Sequence, residues 1–275
     1  MLSIFRRKLS TDAQQTKHTS YTFGSLEFKC NVCGQACKTE ISELGRERAS
    51  CPVCGSTVRM RAIVHLLSRE LYGESLTLPD FPVRPDIRGM GLSDWEGYAV
   101  PLAHKLNYIN THYQQEPRLD ITVIDPALSG TLDFLISSDV FEHVAPPVSI
   151  AFANAAKLLK PGGVLIFTVP YFASGATKEH FPDLHEYEIS QKGGRYVLVN
   201  VTEDGRKQLY EDLVFHGGEG FTLEMRMFSR SSLLDAFSEA GFNKVKIHHE
   251  PDFIHGIYWH EWHEEGGLPI TARKR

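Results

Sequence analysis

Five cysteines occur in the chain, and four of them form two CxxC pairs. The pairs are Cys30-Asn31-Val32-Cys33 and Cys51-Pro52-Val53-Cys54, with seventeen residues between Cys33 and Cys51. A CxxC turn aims two thiolates at one point, and two such turns complete a tetrahedron around Zn²⁺. Gly34 and Gly55 follow the pairs, where positive φ lets backbone N–H groups turn toward sulfur. Pro52 stiffens the second turn. Four thiolates leave no coordination position for water, so the expected zinc is structural. Its net charge of about −2 would be offset by Lys38, Arg46, Arg48, Arg59 and Arg61, which lie close in sequence. Cys37 reads as a bystander that can compete for the metal. An odd cysteine count without an export signal points to reduced thiols and a cytoplasmic location.

A second concentration of reactive groups runs from Thr177 to Tyr187 and includes His180, Asp183, His185 and Glu186. Histidine suits general-base work near neutral pH. His185, or in second place His180, is the expected base for an acceptor hydroxyl, with Asp183 or Glu186 orienting the ring. His143 and His216 are further candidates. His180, Asp183 and His185 also have the residue types of a second metal site. The aromatic segment Gly256–His263 reads either as a wall of the acceptor pocket or as a packed strand face.

The elements that must position these groups alternate between strand and helix, the pattern of a parallel α/β sheet. Apolar residues at 60, 63, 64, 67 and 71 predict a helix that docks the cysteine module, ended by Gly73. Strands are predicted at 106–109, 118–122, 132–137 and 164–169. A helix is predicted over 147–160, stopped by Pro161-Gly162-Gly163. Ligands of such sheets bind beyond the carboxyl ends of the strands. The polar residues expected there are Gly89, Gly91, Asn110, Asp120, Ser138, Asp139, Glu142 and His143.

The run Asp133-Phe134-Leu135-Ile136-Ser137-Ser138-Asp139-Val140-Phe141-Glu142-His143-Val144 resembles the fourth-strand motif of class I S-adenosylmethionine-dependent methyltransferases, of the type 11 kind. Ala156-Lys157-Leu158-Leu159-Lys160-Pro161-Gly162-Gly163 and its strand are similar to that family's next motif. Phe228-Ser229, a helix through Ala240 and then Gly241-Phe242 are similar to its late element. The resemblance covers residues 83–250. It implies a Rossmann-like, doubly wound, mostly parallel sheet over 76–275; the cysteine spacing places a zinc-ribbon module before it over 23–75, and the basic start reads as a disordered tail over 1–22. The resemblance also implies that S-adenosylmethionine is the cofactor. Arg88-Gly89-Met90-Gly91-Leu92-Ser93-Asp94 sits where the family has its glycine loop, so Gly89 and Gly91 would contact the cofactor. Asn110 stands where the family holds the ribose with a carboxylate, and Asp120 resembles its adenine-contacting carboxylate. Asp139 would complete the cofactor shell.

The 275 residues, 42% hydrophobic and 23% charged, suffice for one α/β domain with an accessory module. No apolar run is long enough to span a membrane. The net charge of −5 gives no general nucleic-acid surface. The expected activity is methyl transfer to a small-molecule or saccharide acceptor, at a hydroxyl. The alternatives are an RNA methyltransferase whose ribbon grips nucleic acid, and a non-catalytic scaffold. A nicotinamide dehydrogenase would need the full GxGxxG and its acidic partner, which are missing.

Overall fold

A computed structural model describes residues 24–216, 222–259 and 267–275. The tail through Thr22 lies outside the described residues, as do Gly217, Gly218 and the 260–263 end of the aromatic segment.

The chain begins with a hairpin of β1 (Ser25–Lys29) and β2 (Ala36–Glu40). Helix α1 (Val58–Tyr72) is capped by Thr57, whose side chain accepts from the Met60 N–H, and ends at Gly73 with φ 80°. Of its predicted stripe, Ile63, Val64 and Leu67 are buried. Arg61, Ala62 and Leu66 are buried as well, so the helix is enclosed rather than laid on a surface.

The main sheet uses β3 (Arg84–Leu92), β4 (Leu106–Thr111), β5 (Leu132–Ser138) and β6 (Leu159–Thr168), with helix α2 (Glu96–Lys105) after β3 and α3 (Ser149–Leu158) after β5. Seven short strands follow: β7 (Tyr171–Phe172), β8 (Lys178–Glu179), β9 (Glu186–Lys192), β10 (Arg195–Val201), β11 (Lys207–Tyr210), β12 (Phe215–His216) and β13 (Thr222–Leu223). The chain closes with β14 (Arg226–Ser229), α4 (Arg230–Glu239), β15 (Phe242–Ile247) and β16 (Ile270–Lys274). Ser229 caps α4 by accepting from the Ser232 N–H, and Gly241 follows it at φ 88°, as the sequence predicts.

The six strands order as β15-β16-β6-β5-β3-β4. The four from β3 to β6 are mutually parallel, and β16 and β15 add antiparallel. Phe134–Ile136 and Val164–Phe167 are continuously buried, because a parallel sheet is covered on both faces. From β3 the chain crosses to β4 on one side, then returns past β3 to β5 on the other. The gap between the carboxyl ends of β3 and β5 is therefore the topological switch point, where such sheets bind ligands.

Three local expectations change. Residues 118–122 form no strand. Asp120 turns the chain there, its Oδ1 accepting from the Thr122 N–H and hydroxyl, and Asn154 of α3 donates to the carbonyls of Ile121 and Thr122. The glycine pair is not a loop but the end of β3. A Cβ on Gly89 would fall 2.0 Å from the Phe134 ring, and one on Gly91 would fall 2.0 Å from the Tyr108 hydroxyl. These glycines admit neighbouring side chains into the sheet. Finally, β6 begins at Leu159 and runs through Pro161-Gly162-Gly163, so helix and strand meet without an intervening loop.

The buried core is continuous from Phe28 and Cys30 through Phe134 and Phe167 to Ala272. The cysteine module thus shares its core with the sheet. Among the described residues no helix is long and apolar enough to cross a membrane.

Candidate active site

The two CxxC turns converge as their spacing predicts. Cys30 Sγ lies 3.7 Å from Cys54 Sγ, and Cys33 Sγ lies 3.7 Å from Cys51 Sγ. All four sulfurs fall within 4.8 Å of one another. Zn–S bonds of ~2.3 Å give a tetrahedron with edges of ~3.8 Å, so the sulfur set fits Zn²⁺. Cys37 Sγ, 3.5 Å from Cys51 Sγ, stands within reach as a competitor. Arg61 is fully buried beside these sulfurs and donates to the carbonyls of Ser56 and Gly256. Burial pushes its guanidinium down, and the cysteines push it back up. A buried cation suits a centre with net negative charge. The carbonyl of Gly256 belongs to the aromatic segment, whose described part closes over the module. Asp252 joins His65 of α1 to His255, at 2.9 and 2.7 Å.

The other arginines of the module point elsewhere. Arg46 makes a two-pronged contact with Asp139, at 2.9 and 2.7 Å, and Arg59 Nε lies 3.2 Å from the same carboxylate. Arg59 also clasps Glu47 and donates to Ser138. Arg48 pairs with Glu43, and Lys38 with Glu27. Of the cations expected to offset zinc, or to serve nucleic acid, all but Arg61 are thus engaged with the chain's own carboxylates. Burial pushes the Asp139 carboxyl up, but Arg46, Arg59 and Thr168 outweigh it and hold it down at about 2.

Asp139 and Ser93 directly follow β5 and β3, and both take positive φ, 54° and 56°. Left-handed non-glycine residues cluster at functional sites, and these two flank the switch point. Asp94 follows and is fully buried. Its Oδ2 accepts from the Tyr108 hydroxyl at 2.5 Å, and burial pushes its carboxyl up to about 7. The buried Tyr98 hydroxyl faces the Asp94 carboxylate, and the Ser137 hydroxyl is buried without a hydrogen-bond partner. Asn110 spends its amide on this loop, accepting from the Asp94 N–H and donating to the Asp94 carbonyl, both at 2.9 Å.

The histidines gather elsewhere than the sequence cluster suggests. His185 is exposed, and only its backbone N–H is engaged, with Asn200. Asp183 and Glu186 do not orient it; Asp183 faces Gln208 and Arg206. His180 Nε2 instead lies 2.8 Å from buried Glu224. Glu224 is also 3.0 Å from His216 Nε2, and His216 Nδ1 is 3.2 Å from His143 Nε2. Glu142 and His143 ride on one helical turn after β5. Buried Arg226 of β14 fixes that turn by donating to the carbonyls of Phe141 and Val144. The His180–Asp183–His185 trio is not among the converging ligand groups of the described residues.

A family model described as a methyltransferase domain matches residues 82–247. This chain belongs to that methyltransferase-domain family. The match runs from just before β3 to the end of β15 and leaves the cysteine module outside it. No curated protein matches the chain. Among solved structures, this methyltransferase is similar to an S-adenosylmethionine-dependent methyltransferase from Mesorhizobium loti, at 15% identity and TM-score 0.42 over 70% of this chain and 94% of that one. It is similar to 1,6-didemethyltoxoflavin-N1-methyltransferase of Burkholderia thailandensis, at 14% identity and TM-score 0.44 over 78% and 77%. The amino pentose methyltransferase CalS10 of Micromonospora echinaspora matches at 14% identity and TM-score 0.42 over 80% and 93%.

Glu224 and Arg226, which organise the methyltransferase's histidine cluster, had no sequence signal. Neither sits in a motif, and apart from His216, eight positions from Glu224, the partners named above lie 44 or more positions away.

Proposed function

We propose that this methyltransferase moves a methyl group from S-adenosylmethionine to a hydroxyl of a small-molecule or saccharide acceptor in the cytoplasm. The observation that carries the reading is the family match, whose span includes the switch point between β3 and β5. The unpartnered buried hydroxyl of Ser137, near the end of β5, suits a polar ligand there, since buried polar groups are otherwise paired. The cofactor supplies an activated methyl on a sulfonium.

The chain's own residues supply position and proton handling. Asn110 acts by holding the Ser93–Asp94 turn. Asp139 acts by holding Arg46 and Arg59 at the end of β5. Backbone at Gly91 and beyond faces the ligand, while Gly89 serves packing. Asp120 remains a candidate for the adenine amino group. His180 is the assigned base in preference to His185. Glu224 keeps the proton on its Nε2, which leaves Nδ1 to accept one. A positioned base contributes roughly 10²–10⁴-fold. A structural Zn²⁺ on Cys30, Cys33, Cys51 and Cys54 holds the module together. RNA is the less favoured acceptor, because the module's arginines are internally paired.

Calorimetry with S-adenosylmethionine, S-adenosylhomocysteine and NAD tests the reading. Binding of the first two and not the third supports it. Failure of both to bind the folded protein leaves the scaffold alternative. Asp120→Ala should weaken S-adenosylmethionine by about 1.5–3 kcal/mol if its carboxylate takes a hydrogen bond. Unchanged affinity restricts Asp120 to its turn.

A further inference from the structure

Glu142 is a buried carboxylate, 1% exposed, and neither of its oxygens has a hydrogen-bond partner. An isolated buried charge is costly unless a cation or donor meets it. Its own backbone N–H and the charges of Arg46 and Arg59 favour its ionised form, but neighbouring His143 offers it no proton. His143 directs Nδ1 at the carbonyl of Leu223, 2.9 Å away. A carbonyl only accepts, so Nδ1 carries the proton and Nε2 is a lone pair. His216 directs Nε2 at Glu224, 3.0 Å away, which leaves its Nδ1 as a lone pair by the same reasoning. These two lone pairs face each other at 3.2 Å, and His143 Nε2 lies 3.8 Å from Glu142 Oε1. Three electron-pair donors therefore converge within 4.8 Å. Each histidine also has the outer hydrogen bond that metal-ligating imidazoles use to fix their tautomer.

We infer that Glu142, His143 and His216 bind one first-row divalent cation, of the Zn²⁺ or Mn²⁺ kind, with a coordination position left open for an oxygen ligand. Metal–ligand bonds of ~2.0–2.2 Å place neighbouring ligand atoms ~3.0–3.5 Å apart, close to the spacing present. Two imidazoles and one carboxylate leave a shell unfilled, as catalytic rather than structural sites do. The open side is that of His216, whose side chain is 38% exposed against 12% for His143. A hydroxyl of the acceptor is the oxygen ligand this site would take, a clause that rests on the methyl-transfer reading. Bound there, the hydroxyl would be oriented and made more acidic.

The competing account is a shared proton: His216 as an imidazolium between Glu224 and His143, with Glu142 protonated. Metal binding separates the two. The full chain is stripped with chelator, reloaded, and its zinc measured. Wild type should retain two equivalents, one for the cysteines and one for this site. Mn²⁺ is the selective probe, since oxygen and imidazole ligands suit it and thiolates do not. Wild type should bind one Mn²⁺ by electron paramagnetic resonance titration. Glu142→Gln and His216→Ala should weaken Mn²⁺ by about 100-fold or more and keep both the cysteine-bound zinc and a wild-type cooperative thermal unfolding, the latter reporting that they fold. Glu142→Gln removes only a buried charge and preserves shape. A wild type that binds one zinc and no Mn²⁺, or variants that bind Mn²⁺ normally, would overturn the site in favour of the shared proton. These readouts need no methyl transfer. If Mn²⁺ binds and S-adenosylmethionine does not, the metal site stands and the methyltransferase reading falls.

Discussion

The cysteine centre and the histidine centre of this methyltransferase are assembled from very different lengths of chain. Cys30 and Cys54 are 24 positions apart, and short turns bring the sulfurs together. His143 and His216 are 73 positions apart, and their approach depends on β12, β13, β14 and Arg226. The first centre has four ligands of one kind, two of them buried and two half-buried. The second mixes a buried carboxylate with two half-buried imidazoles. A local centre can fold with its metal as a unit, whereas a centre built from distant segments takes shape only when the surrounding fold has formed. This contrast suits a structural role for the cysteines and a working role for the histidines.

The largest expected effect lies at the local centre. Cys51→Ser should lose zinc and, because the module shares the sheet's core, destabilise the whole chain by about 4–5 kcal/mol or more. Elemental analysis and thermal unfolding read both. Cys37→Ser should keep the metal. Full zinc retention in Cys51→Ser would refute the assignment and erase the contrast.

The next effect lies at the junction of module and sheet. Asp139→Asn leaves buried Arg46 with only the half-exposed Glu47 as counter-charge and should cost about 3–5 kcal/mol in chemical denaturation near neutral pH. The sign of the pH dependence follows from the depressed carboxyl. Its stabilisation is complete above the unfolded value of about 4 and is lost as pH falls through about 2. A loss of under about 1 kcal/mol would show that the junction is loosely held.

A smaller effect of opposite sign belongs to Asp94. Its folded carboxyl is raised to about 7. The stability linked to it is therefore greatest below about 4 and falls as pH rises through about 7. Asp94→Asn should remove that slope and be more stable than wild type by about 1–3 kcal/mol near pH 8. An unaltered slope would mean that Asp94 is already charged in the fold.

The smallest effects sharpen the histidine side. His185→Ala should change stability by less than about 0.5 kcal/mol and leave kcat nearly unchanged once the acceptor is identified. His180→Ala should lower kcat by roughly 10²–10⁴-fold. The reverse ranking would return the base to the exposed residue and separate catalysis from the Glu224 cluster.

The sequence by itself determined what is encoded locally. The CxxC spacing, the Thr57 and Gly73 ends of α1, the buried runs of β5 and β6, and the Ser229-to-Gly241 frame of α4 all depend on neighbours a few positions away. The order of motifs carried the family resemblance for the same reason. Only the tertiary structure decided which charges and ligands meet. Arg46 and Arg59, near the cysteines in sequence, reach across to Asp139. Gly89 and Gly91 have the appearance of a cofactor loop, yet they make room for Phe134 and Tyr108 from adjoining strands. His180 and His185 are close neighbours in the chain, yet one faces Glu224 and the other faces solvent. Side-chain direction after a turn, and the partner it finds across a sheet, depend on contacts between distant segments, and no spacing along the chain records them.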